Sequence, residues 1–150
     1  MRWPGEIPKG IVCSEMATTM DLYPTLAKLA GAKLPTDRII DGKDIRPLMA
    51  GVVGAKTPHE AFFYYWQNEL HAVRSGRWKL VLDHNKPRTE VKVPMALYDL
   101  ESDIGEQNDL AARCPKLVER LQEMVERCRD DLGDAVTGRP PTNQRPPGRI

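Results

Sequence analysis

The sequence predicts an α+β fold: a four-stranded antiparallel sheet packed by a long C-terminal helix. Three observations carry that expectation. Residues 61–66, AFFYYW, form a run of aromatic, strand-prone side chains. Residues 70–82, LHAVRSGRWKLVL, alternate on either side of Ser75-Gly76, as in a hairpin whose glycine supplies the positive φ of a tight turn. Residues 115–132 place Leu117, Val118, Leu121, Met124, Val125, Cys128 and Leu132 on one stripe at helical spacing.

The elements follow in order. DLYPTLAKLAG, residues 21–31, lies in a helix expected over 19–30. Thr18 and Thr19 offer capping hydroxyls, and Asp21 suits the positive end. Pro24 is tolerated only near the first turn, where its missing N–H has no partner to lose. Leu22, Leu26, Leu29 and Ala30 make an apolar stripe, and Gly31 supplies the left-handed stop. Residues 32–51 read as irregular chain with a turn at Asp41-Gly42 and a helical turn in DIRPLMAG. GVVGAKTP, 51–58, reads as a linker.

In the hairpin, Leu70, Ala72, Trp78, Leu80 and Leu82 are expected on one face, with His71, Val73, Lys79 and Val81 on the other. A polar loop, HNKPRTEVKVP, leads to a fourth strand in ALYDL. Short connections make the sheet antiparallel. The final helix starts at Pro115 and ends at Gly133, with Glu123 and Arg127 paired on its wet side. The tail GRPPTNQRPPGRI reads as a mobile or extended end, or as a polyproline ligand.

A chain of 150 residues suffices for one ordinary domain and its core. A net charge of +1 sets up no strong field, so neither nucleic acid nor an anionic membrane is expected as a partner. No apolar run approaches the ~20 residues that cross a bilayer. MRWPGEIPKG lacks the apolar centre of a secretion signal, which leaves the compartment open. Cys13, Cys114 and Cys128 fit no zinc spacing. They read as free thiols; a Cys114–Cys128 disulfide requires the chain to fold back, and Cys128 sits mid-helix.

Little obvious chemistry stands out. There is no glycine-rich phosphate loop, no HExxH and no nucleophile elbow. Asp130, Asp131 and Asp134 cluster near a helix end and read as solvated polar residues. His59 reads as an exposed linker residue and His71 as a sheet-surface residue. His84 opens the polar loop, with Lys86, Arg88 and Lys92 close by. One histidine among cations can meet an anionic substrate; the alternative is a hydrated loop without a role. His84, Lys86 and Arg88 are the candidate substrate-rim residues.

RWPGEIPKG, DLYPTLAKLAG, IDGKDIRPLM, AVRSGRWKLV and LYDLESDIGEQNDL follow one another along the chain. In this order they resemble the C-terminal end of type I sulfatases, the arylsulfatase-like family, over about residues 2 to 132. Ile104 departs from the family, whose members commonly carry proline after that aspartate. The resemblance implies an alkaline-phosphatase-like α/β domain whose last strand, ending at Arg2–Gly5, and last helix occupy residues 1–54. It implies a small C-terminal subdomain over 55–137, then the proline-rich tail, 138–150.

The family's nucleophile is a formylglycine made from the Cys or Ser of a C/S-x-P/A-x-R motif, and its metal is usually calcium held by Asp and Asn. None of the three cysteines opens that motif, and no DD-x-x metal motif opens the chain. The resemblance therefore places both groups in a preceding N-terminal domain. This chain would be the C-terminal portion of a sulfuric ester hydrolase, supplying scaffold and pocket rim, catalytically inactive alone, with that domain as its partner. Its exposed helix stripe could also make a homo-oligomer. Two alternatives stay open: a stand-alone interaction or oligomerisation module, and the tail of a related phosphonate or phosphate monoester hydrolase.

Overall fold

The computed structural model describes residues 1–143; the end of the proline-rich tail lies outside them. Two compact units divide the chain, Met1–Glu60 and the segment from Ala61 onward.

The first unit is mostly irregular chain around two short helices. Thr18 is extended (φ −128°, ψ 163°), a 3-10 turn covers Thr19–Asp21, and α1 spans Leu22–Leu29. Pro24 lies in the first turn of α1, as its missing N–H requires. Gly31 follows at φ 69°. The short helix α2 spans Arg46–Met49. The apolar stripe of α1 does not face inward. Pro24 and Thr25 are buried, Leu22 and Leu29 are half-buried, and Leu26 is 57% exposed. The strand end expected at Arg2–Gly5 is instead a turn, in which Glu6 N and Ile7 N both donate to Trp3 O. A strand needs a neighbour for its ladder, and no strand forms among residues 1–60.

The second unit has the expected sheet. Strands β1 (Phe62–Trp66), β2 (Glu69–Ser75), β3 (Trp78–Val81) and β6 (Ala96–Asp99) lie side by side in that order, each pair antiparallel. Between β3 and β6 the polar loop forms a small hairpin of β4 (His84–Asn85) and β5 (Lys92–Val93). Helix α3, Pro115–Leu132, covers one face of the sheet.

One expectation about the hairpin fails. Tyr64 pairs with Ala72 but Tyr65 pairs with Leu70, so His71 is an extra residue in β2. Such a bulge shifts the inward–outward phase by one. Leu70 and Val73, rather than Leu70 and Ala72, therefore reach the helix-facing core. There they join Leu80, Leu82 and Leu97 against Val118, Leu121, Met124, Val125 and Cys128 of α3. The five helix side chains contribute on the order of 10 kcal/mol before entropy is subtracted. Leu132, expected on the stripe, is 42% exposed at the helix end.

The chain after α3 is anchored where it is described. Asp134 and Arg139 bridge through both backbone N–H groups, and Thr142 N and Asn143 N donate to Asp131 O. Residues 139–143 lie against the helix end, where Asp130 also pairs with Arg139 and the Asp131 side chain accepts from Asn143.

Candidate functional site

The β4–β5 hairpin carries the three residues singled out from the sequence. Its tip is the turn Lys86–Pro87–Arg88–Thr89, closed by Thr89 N and Thr89 Oγ1 donating to Lys86 O at 3.1 and 2.9 Å. Proline pre-sets φ at the second turn position, and Arg88 follows at φ 60°. At its base, His84 Nδ1 donates to Leu82 O at 2.7 Å, which fixes the ring. That ring stacks on His71, centroids 3.8 Å apart and planes 18° from parallel. His71 Nε2 in turn lies 3.1 Å from Glu69 Oε2. Glu69 pairs with Trp66 across the β1–β2 turn, and the Arg88 guanidinium lies 5.9 Å from the Trp66 ring centroid.

These contacts close a circuit: Trp66, Glu69, His71, His84, then through the hairpin to Arg88 and back to Trp66. His84 joins this cluster through the His71 ring and Arg88 through the Trp66 ring, while Lys86 is exposed. Trp66, Glu69 and His71 were missed as partners, because the bulge that turns His71 toward His84 leaves no mark in the alternation. The arrangement offers a flat indole, two imidazoles and cationic side chains at one margin of the sheet. It suits holding an anionic, ring-bearing group.

A second cluster lies in the first unit. Asp21 is fully buried, yet it is no orphan. Its carboxylate accepts from Thr18 N at 2.7 Å, Thr18 Oγ1 at 3.2 Å, Lys43 N at 2.7 Å and His59 Nε2 at 2.7 Å. Burial by itself would push this carboxyl up. The donors from Lys43, Thr18 and His59 outweigh it and hold the group below the usual carboxylate range. His59 is accordingly not the exposed linker residue expected, since its side chain is only 8% exposed. Beside it, Thr25 Oγ1 accepts from Ile45 N at 3.0 Å. Gly42 runs so close that an added Cβ would lie 2.0 Å from Met20 O. The turn expected at Asp41-Gly42 does not form; the glycine serves this close approach instead.

The acidic residues near the end of α3 are also occupied. Asp134 is buried and accepts from Leu70 N, Val136 N and the Arg129 guanidinium at 3.1, 3.0 and 2.8 Å. Asp130 pairs with Arg139, and Asp131 accepts from Asn143. The solvated reading thus fails for Asp134. These carboxylates already serve protein donors, so they do not fit a calcium ion. Among the described residues no group of three or more His, Cys, Asp or Glu is placed to hold a metal. All three cysteines are free. The buried Cys128 lies 3.5 Å from the Tyr65 hydroxyl, which donates to Gly133 O at 2.8 Å. Burial raises both the thiol and the phenol, so Cys128 is a core group rather than a nucleophile.

Residues 1–131 match the family described as N-sulphoglucosamine sulphohydrolase, C-terminal. The chain belongs to this sulfatase family. It is 46% identical over 83 residues to the steryl-sulfatase of Mus musculus, covering 53% of this chain and 13% of that protein. It is 34% identical over 146 residues to arylsulfatase A of Homo sapiens, covering 81% of this chain and 28% of that protein. Among solved structures, Ps i-CgsB in complex with k-i-k-neocarrahexaose superposes with a TM-score of 0.65 at 27% identity, covering 84% of this chain and 27% of that one. PsFucS1 sulfatase from Pseudoalteromonas sp. gives 0.70 at 17% identity over 84% of this chain and 28% of its own, a likeness of fold. The chain therefore spans only 13% to 28% of the length of these relatives. The type I sulfatase resemblance holds, and it is to the C-terminal portion. The family implies calcium and formylglycine in the N-terminal domain rather than in this part.

Proposed function

We propose that this chain acts as the C-terminal part of a sulfuric ester hydrolase, supplying scaffold and one side of the substrate pocket. The nucleophile and cation come from a domain encoded before it. The family match over residues 1–131 carries the assignment. The chemistry of the side chains agrees with it: sulfate-ester cleavage needs a strong nucleophile and concentrated positive charge in one dry site. The buried carboxylates of Asp21 and Asp134 and the buried Cys128 thiol are committed to structure.

The residues divide into two roles. Residues 1–54 complete the large domain. Met20 of the 3-10 turn and Tyr23 and Leu26 of α1, exposed by 43%, 52% and 57%, pack on that domain. The β4–β5 hairpin presents His84, Lys86 and Arg88 toward the entering ester.

The test is an aryl sulfate assay in two forms. The chain alone is expected to give no turnover of p-nitrophenyl sulfate. Coexpression with the preceding coding region, carrying a C/S-x-P/A-x-R motif in frame, is expected to restore it. Turnover by the chain alone that survives further purification overturns the proposal, and an aryl phosphonate hydrolysed in place of the sulfate assigns the chain to phosphorus chemistry instead. A second reading, an oligomerisation module, draws on the same exposed face of α1. It predicts a dimer by light scattering that is abolished by Leu26→Asp.

A further inference from the structure

Arg88 is an odd residue for its place. A turn with proline second and positive φ third ordinarily carries glycine at the third position. At φ 60° the arginine Cβ is crowded against its own backbone, and such strain persists where a side chain is wanted. Its guanidinium meets no carboxylate among the described residues and rests 5.9 Å from the centroid of Trp66. The indole beneath it is also unusual, since Trp66 is 41% exposed at the end of β1. Glu69 is its cross-strand partner, His71 reaches Glu69 and stacks on His84, and Arg88 lies over the ring.

A cation over an exposed indole is weakly held. A guanidinium facing an oxyanion makes two parallel charge-assisted hydrogen bonds, which are stronger. An incoming sulfate, phosphate or carboxylate oxygen pair can therefore draw Arg88 off the ring and bare the indole face. An apolar ligand gains nothing from Arg88. A sugar ring, with C–H groups on one face and hydroxyls at its edge, matches both parts.

We propose that Arg88 and Trp66 form a specificity subsite for an anionic sugar. In it the arginine pairs with a charged group other than the ester being cleaved, and the indole takes the ring face. This rests on the reading that the β4–β5 hairpin borders the substrate. Arg88 is then a specificity-determining residue whose contact is the same in ground and transition states, so in the complete enzyme its loss raises KM and leaves kcat in place.

The experiment uses the 150-residue chain, isotope-labelled, with the Trp66 indole N–H followed by NMR. Three probes are titrated: a glucose monosulfate, glucose and sodium sulfate. The sulfated sugar is expected to shift the Trp66 resonance at lower concentration than either of the other two. Arg88→Gly, which keeps the turn while removing the cation, is expected to weaken that binding about tenfold. Arg88→Lys, which keeps charge without the fork, is expected to lie between. Equal responses to sodium sulfate and sulfated sugar overturn the sugar part. Shifts at His84 and Lys86 with none at Trp66 overturn the subsite and spare the rim reading. No shift anywhere on the hairpin overturns both.

Discussion

The two units differ in what holds their interiors together. Around Leu121 the interior is apolar, formed by leucines and valines of the sheet against one side of α3. Around Asp21 it is mixed: a buried carboxylate and a buried threonine hold the loops beside the buried Met16, Ile45 and Leu48, while Met20, Tyr23 and Leu26 are exposed. A unit that hides its apolar side chains carries its stability within itself. One that leaves several of them exposed around a small buried cluster relies more on its polar contacts. The contrast predicts where substitutions will hurt.

The largest effect is expected at Leu121, fully buried beneath the sheet. Leu121→Ala should cost about 2–5 kcal/mol in urea unfolding; a loss no larger than that of a surface change would deny the second unit its core. Next comes the polar knot. Asp21→Ala leaves the N–H groups of Thr18 and Lys43 and the His59 ring without their acceptor. It should destabilise the first unit by about 1–3 kcal/mol, seen as amide exchange rising in residues 18–45 while the second unit keeps its protection.

Gly42→Ala should act in the same place. The new Cβ meets the Met20 carbonyl, and overpacking of this kind costs about 1–3 kcal/mol. A thermal midpoint equal to wild type would show that the backbone yields freely. The pH dependence of the first unit follows from the same carboxyl. Asp21 titrates below its ordinary value, so its contribution is complete above the unfolded carboxyl range of about pH 4 and lost as pH falls through the lower folded value. Acid should therefore raise exchange around Asp21, and Asp21→Asn should flatten that response. The smallest effect belongs to Leu26→Ser, within about 0.5 kcal/mol, with solubility rising.

How much of this could be read beforehand differs between the units for the same physical reason. Periodicity reports apolar burial, so α3 and the four strands were legible, and the turn expected at Ser75-Gly76 forms one residue later, at Gly76-Arg77. Where burial is polar, periodicity is silent. Nothing in DLYPTLAKLAG says that Asp21 rather than Leu26 lies inside, nor that His59, far along the chain, completes its shell. The bulge at His71 was equally hidden, because an extra residue in one strand is visible only through its partner. At the candidate site the charged loop at 84–92 stood out by composition. Its contacts with Trp66 and His71 depend on long-range pairing that no local pattern carries.

The supernumerary residue in β2 has a consequence of its own. Every other position in the central ladder is bound to a neighbour's spacing, so changing one side chain's direction would reverse all that follow. At His71 the strand absorbs one additional amide and resumes with its apolar side chains correctly seated. The sheet thereby gains an imidazole at its margin without sacrificing an inward anchor. Deleting that single residue would join Leu70 directly to Ala72 and leave the leucine and the valine beyond it two positions apart, both still inward, so the loss would be the imidazole and its stack on His84.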